Sequence, residues 1–237
     1  MIKRAFLISS SAQNTTTPIV GTLKDVENFK HFLQSLKGGA WEDNEIFFKD
    51  EPNDNDMNYI RNYNGDYSLI FIASHGFYYK SEHMQYVIIN EEEFPLDYFF
   101  NNAKKQLIIV DACREYHFPN LMLFAESFEG VKRLSYSNIR DIYRQRYEDY
   151  IEKCNNGRVI IYSTNINDTA GEDKNNGGIF TSSFIKVASD NSEYKLLDAK
   201  NAVILTRNYM HNILKTEQNP IIESDRRINY FPISIII

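Results

Sequence analysis

Two apolar runs in this chain stop on residues that can do chemistry. Residues 68–79, SLIFIASHGFYY, pass from a strand-like run into Ser74-His75-Gly76, and residues 105–115, KQLIIVDACRE, pass into Asp111-Ala112-Cys113. A cysteine attacks a carbonyl as its thiolate, so it needs a base, and imidazole titrates close to neutrality. His75 and Cys113 would form such a dyad. Gly76, having no Cβ, lets its backbone N–H approach a developing oxyanion, with the N–H of Cys113 as second donor. Each residue also has a plainer use: His75 as a loop histidine beside a turn glycine, Cys113 as a small buried hydrophobe closing a strand. The catalytic reading gains from the repetition, because the same polar break ends two successive apolar runs.

The dyad requires those two runs to be neighbouring strands of one sheet. Short apolar runs alternate with amphipathic segments throughout the chain, the pattern of an α/β fold with a mostly parallel central sheet of about six strands flanked by helices. Strands are expected over 5–9, 45–48, 69–73, 106–110 and 159–163, with a last one over 230–235. Helices are expected over 23–36, where Leu23, Val26, Phe29, Phe32 and Leu36 keep helical spacing and Gly38-Gly39 stops it, and over 54–63, 95–102, 139–154, 178–189 and 196–215. Consecutive strands joined by a crossover usually lie side by side. Their tips would then be roughly 5–10 Å apart, given a strand spacing of about 4.8 Å.

Bulk properties narrow the function classes. A chain of 237 residues with 43% apolar and 14% aromatic residues can bury a sizeable core as one domain spanning 1–237. The formal net charge of −6 disfavours nucleic acid as a partner. No run approaches the roughly 18 apolar residues of a membrane span, and the apolar part of MIKRAFLISSSAQN is too short for a signal peptide, so a cytoplasmic protein without membrane partners is expected. Cys113 and Cys154 sit in unlike contexts, one closing a strand and one in a polar helical stretch, which argues against a disulfide. His83, His117 and His211 have no metal-ligand spacing, and no cofactor or metal is expected. The oxygen-rich EPNDNDMN at 51–58 lacks the spacing of a calcium loop and reads as a helix start.

Six segments, taken in order, resemble the caspase-like cysteine peptidases, the clan of caspases, metacaspases and bacterial orthocaspases. They are KRAFLIS, VGTLKDVENFKHFLQSLKGGAW, SLIFIASHG, QLIIVDACR, VIIYSTNINDTAGE with NGGIFTSSFI, and EQNPIIES with NYFPISI. The resemblance implies a caspase-like α/β/α sandwich and a cysteine endopeptidase (a hydrolase, a thiol protease) whose partner is a protein or peptide substrate. Asp111-Ala112-Cys113-Arg114-Glu115 departs from the caspase signature Q-A-C-[RQG]-G, and the His-to-Cys separation is short, which points to the metacaspase and bacterial branch. Asp111 stands where caspases carry glutamine. Counting back from Gly178-Ile179-Phe180 puts Glu172 where the caspase pocket arginine would sit, with Asp168 as the fallback acid. A pocket of carboxylates implies cleavage after Arg, then Lys.

The segment 114–158 breaks the strand–helix rhythm and reads as a long linker or insertion, in which the resemblance makes Lys132 and Arg133 self-cleavage sites preferred over Arg140, Arg144 and Arg146. Some relatives are activated by calcium, although no motif here supports it. Bacterial relatives serve in stress or defence systems, acting on an effector such as a gasdermin-like pore former. The alternatives are a catalytically silent caspase-like module that binds a partner, and a flavodoxin-like nucleotide-binding domain. The second of these lacks a Gly-rich loop after the first strand, which continues as Ser9-Ser10-Ser11-Ala12-Gln13.

Overall fold

The computed structural model describes residues 1–11, 19, 21–116, 137–173 and 177–237. In chain order the elements are β1 (Lys3–Ser9), α1 (Gly21–Gln34), β2 (Ile46–Asp50), α2 (Asp54–Arg61), β3 (Tyr67–Ala73), β4 (Gly76–Tyr79), β5 (Met84–Ile89), β6 (Glu92–Pro95) and β7 (Lys105–Asp111). They continue as α3 (Ser137–Glu152), β8 (Gly157–Tyr162), β9 (Glu172–Asp173), β10 (Gly177–Gly178), α4 (Ile179–Asp190), β11 (Leu196–Asp198), α5 (Ala199–Asn212), β12 (Ile221–Ser224) and β13 (Pro232–Ile235).

The main sheet has six strands in the order β12-β8-β7-β3-β1-β2. Five run parallel, and only the edge strand β12 is antiparallel. β3 and β7 are central and buried along nearly their whole length, which is why their sequences are continuous apolar runs rather than alternating ones. One face of the sheet packs Leu7, Leu69, Phe71 and Leu107 against Val26 and Phe29 of α1, Phe180 and Phe184 of α4 and Val203 of α5. The other packs Phe6, Ile70, Ile72 and Val110 against Met57 and Ile60 of α2 and Val87 of β5. The sandwich thus has the expected three layers.

Some element expectations change. The helix over 95–102 is a single 3₁₀ turn, Leu96–Phe99. The Asn101 carboxamide accepts from the N–H of Ala103 at 3.1 Å, so the side chain takes up backbone that a helix would use. The helix over 196–215 starts at Ala199, because Asp198 caps it, accepting from Asn201 N–H at 2.8 Å, while 196–198 pair with β13. The last strand therefore leaves the main sheet, and β12 takes the edge. The hairpin sheet β4-β5-β6, which follows β3 directly, is not expected from the sequence. The helix start at 51–58 is found as read: Asn53 caps α2 by accepting from the N–H groups of Asn55 and Asp56, and Asp56 reciprocates.

Lys132 and Arg133 lie outside the described residues. Two of the arginines that follow them are held within the fold. Arg140 donates to the carbonyls of Gln34 and Ala40 at 2.8 and 3.2 Å, and Arg144 pairs with Glu45 and Glu148. The buried Lys3 joins this cluster through Glu148 at 3.0 Å. Tyr147 and Ile151 seal α3 onto the core.

Candidate active site

His75 and Cys113 come from adjacent strands. The β3–β7 register runs to Ala73 opposite Asp111, and the N–H of Ser74 still reaches the Asp111 carbonyl at 3.2 Å. Two residues beyond that register, His75 and Cys113 follow the ends of the two neighbouring strands at equivalent positions. Gly76 tightens the approach further: a Cβ there would lie 2.8 Å from Ala112 Cβ and 2.8 Å from the Tyr86 carbonyl, so only glycine fits without displacement. The His75 backbone is fixed by its carbonyl, which accepts from Ile88 N–H at 2.9 Å and Ser74 Oγ at 2.8 Å.

The same bonds orient the Gly76 N–H, one of the two expected of an oxyanion site. Because His75 and Ile88 form a hydrogen-bonded antiparallel pair, the next pair, Gly76 with Val87, turns its N–H groups outward. Two residues on, Tyr78 N–H points the same way and reaches Glu115 O at 2.8 Å, so Gly76 N–H faces the chain that leaves Cys113. The Cys113 N–H has no acceptor among the described residues.

Cys113 is held on both sides. Its carbonyl accepts from Gln85 Nε2 at 3.0 Å, and the same carboxamide accepts from Arg114 Nε at 3.0 Å. The Arg114 guanidinium is buried 3.7 Å from the Tyr162 ring centroid and 3.8 Å from Glu223. The thiol rests on Ala170, whose N–H lies 3.4 Å from Sγ and whose carbonyl is 3.9 Å away. Burial pushes the thiol up to about 11, the Ala170 N–H opposing it and the charges of Glu115, Asp111 and Glu172 adding to it. This is a protonated, docked cysteine; forming the thiolate requires admitting water to Sγ or passing its proton to a base.

Three carboxyl groups converge beside it. Asp111, at the end of β7, accepts from Thr181 Oγ1 at 2.6 Å and from Thr181 N–H at 3.3 Å. Asp25 of α1 accepts from Gly178 N–H through both oxygens at 2.9 Å. A Cβ on Gly178 would lie 2.5 Å from Asp111 Oδ2 and 3.0 Å from Asp25 Oδ2, which locates both carboxyls at one point. Glu172 pairs with Gly178 across the β9–β10 ladder. Burial and mutual repulsion keep protons on the cluster: burial first and the Asp111 charge second hold Asp25 well above the usual carboxylate range, burial raises Asp111, and burial with the Asp111 charge lifts Glu172 to about 7.

Asp111 and Glu172 are thus brought together as the sequence reading expects. Asp168 contributes its backbone instead, its carbonyl accepting from Arg114 N–H at 3.0 Å, and no side-chain contact joins it to the cluster among the described residues. Asp25 was missed. Its signal was available, since Asp25, Phe29 and Phe32 share one face of the predicted helix, and an acid on an apolar face needs a reason to be there.

Asp25 and Asp111 also cap α4, the one holding Gly178 N–H and the other Thr181 N–H in its first turn. No hydrogen bond of the Glu172 carboxyl is found among the described residues, and its side chain is exposed. It is the acid of the three best placed to meet a ligand.

A three-layer sandwich with a histidine and a cysteine on neighbouring strand tips defines a caspase-type α/β domain. The family model of the peptidase C14 caspase domain matches residues 2–231, and the chain belongs to this family of cysteine peptidases. The fold is similar to that of caspase-1 from Spodoptera frugiperda, with a TM-score of 0.59 at 12% identity, covering 95% of this chain and 87% of that one. No curated protein matched by sequence. Sheet order alone would not have separated this fold from flavodoxin-like ones, which share the order 2-1-3-4-5 for the parallel strands. The residues at the tips make the difference.

Proposed function

We propose that the protein is a cysteine endopeptidase that cleaves after arginine, and after lysine more slowly, with His75 and Cys113 as catalytic residues. The observation that carries the specificity is the convergence of Asp25, Asp111 and Glu172 beside Gly178. Carboxyls crowded there repel one another, and a bound guanidinium relieves the repulsion while donating paired hydrogen bonds to Glu172. Lysine brings the charge without the planar fork.

In this mechanism the substrate carbonyl sits between Cys113 and the N–H groups of Gly76 and Cys113. The Cys113 proton passes to His75, Sγ attacks the carbonyl carbon, and the two N–H groups hold the oxyanion. His75 then protonates the leaving amine as the C–N bond breaks, and afterwards activates the water that hydrolyses the thioester. The setting suggested by the resemblance is the cytoplasm of a bacterium, in a stress or defence system where the peptidase activates an effector such as a gasdermin-like pore former. No described helix is long and apolar enough to cross a membrane.

Fluorogenic peptides ending in Arg, Lys or Asp, assayed with and without calcium and beside Cys113→Ala, test the proposal. Arg cleavage lost in the variant supports it; cleavage of the Asp peptide alone would refute the pocket. The docked thiol on Ala170 favours a second reading, a silent caspase-like module that binds a partner. Silence toward every peptide would select that one.

A further inference from the structure

The hairpin that follows His75 has two unlike faces. Alternation along β4, with the β4–β5 register, places Gly76, Tyr78, Gln85 and Val87 on one face. This face is the inner one, since Gln85 and Val87 are buried and Val87 packs in the core. His75, Phe77 and Tyr79 lie on the other face, opposite Ile88, Tyr86 and Met84. Phe77 and Tyr86 stack with centroids 5.4 Å apart and planes 7° from parallel, and Tyr79 meets Tyr86 edge-on at 5.2 Å. Tyr79, Tyr86 and Ile88 are half-buried, whereas Phe77 is buried behind Tyr86. An aromatic track thus leads away from His75 along the outward face.

Its place relative to the acids gives it a direction. Asp25 belongs to α1 and Asp111 bonds to α4, which cover one face of the main sheet, whereas the β4–β5 hairpin packs on the opposite face. Cys113 and His75 stand at the rim between them. A chain whose arginine enters the acid cluster and whose scissile bond lies at Cys113 passes its amine side over His75, which must protonate that amine. Beyond His75 the substrate meets the aromatic track.

Resting on the endopeptidase reading above, we propose that this track binds the leaving side of the substrate and selects an apolar or aromatic residue two positions after the cut. Phe77 and Tyr86 lie two strand residues past His75, about 7 Å along an extended chain, which is the reach of that second residue. Tyr86 offers the accessible ring, and the buried Phe77 stacks against it. Exposed Glu82, Glu92 and Glu93 rim the hairpin, and Glu93 sits across from Ile88, so an acidic residue is disfavoured there.

The test uses an arginyl coumarin amide, which has no residue after the cut, and quenched peptides alike through Arg-Gly but carrying Phe, Ser or Glu next. The wild-type protein is expected to cleave the coumarin amide and to prefer Phe to Glu by about tenfold in kcat/KM. With each variant's peptide rates divided by its own coumarin rate, Tyr86→Ala and Tyr79→Ala should bring that ratio toward one. Tyr86→Phe should keep it, as should Tyr59→Ala on α2. Coumarin cleavage with equal rates for the three peptides would overturn the inference and leave the peptidase reading standing. Failure to cleave any substrate would overturn both.

Discussion

The thiol of Cys113 lies against the backbone of Ala170, 3.4 Å from its N–H, and this contact sets the resting state of the site. It joins the nucleophile to the loop that carries Glu172 two residues later, so the acid cluster and the thiol are mechanically linked.

Burial pushes that thiol up to about 11, so it is almost wholly protonated at neutral pH. Alkylation of Cys113 by iodoacetamide should be slow at pH 7.5 and rise steadily toward pH 11, read by peptide mapping to separate it from Cys154, which is raised to about 11 as well. Occupying the acid cluster with an arginyl peptide amide should accelerate labelling of Cys113 and leave Cys154 unchanged. An alkylation rate already at its plateau by pH 7 would contradict the docked thiol.

Glu172 titrates at about 7, and only its ionised form attracts a cation. The KM for an arginyl substrate should therefore fall as pH rises from 6 to 8. Glu172→Gln should raise KM at pH 8 by about tenfold, the scale of one hydrogen bond between charged partners, and flatten its pH dependence. A variant with the wild-type profile would remove Glu172 from the pocket.

Asp25 and Asp111 have carboxyls raised in the folded state, so the unfolded chain ionises them first as pH rises. The stability they withhold is absent below the unfolded carboxylate range and grows as pH climbs toward the folded values. Asp25→Asn, whose amide oxygen can still accept from Gly178, should raise Tm relative to wild type at pH 8 and lose that advantage near pH 4. The same variant should bind arginyl substrates more weakly. Equal Tm differences at both pH values, measured by calorimetry, would contradict the crowded pair.

Gly76→Ala forces a Cβ to within 2.8 Å of both Ala112 Cβ and the Tyr86 carbonyl. Overpacking of this kind typically costs about 1–3 kcal/mol. Thermal unfolding should show that loss, and turnover should fall further than stability, because the shift separates His75 from Cys113.

Much of this was legible in the chain itself. Continuous apolar runs leading to His75 and Cys113 specified the two central strands, since a strand buried on both faces has no polar face to alternate. Helical spacing located α1, α2 and α4 because each buries one face. The hairpin after His75 was not legible: Phe77-Tyr78-Tyr79 carries aromatics on both faces, so no clean alternation marks it. Nor was the edge strand, since Ile221–Ser224 is too short to stand apart from the longer apolar run at 230–235. Asp25 could be seen as an acid on an apolar face, but its partner could not. What sequence settles is local periodicity and the chemical type of each strand end. Which acids meet, and that they retain protons, depends on groups 86 and 147 residues from Asp25 coming within repulsion distance beside the buried Gly178, and that is decided only when the sheet and helices close around them.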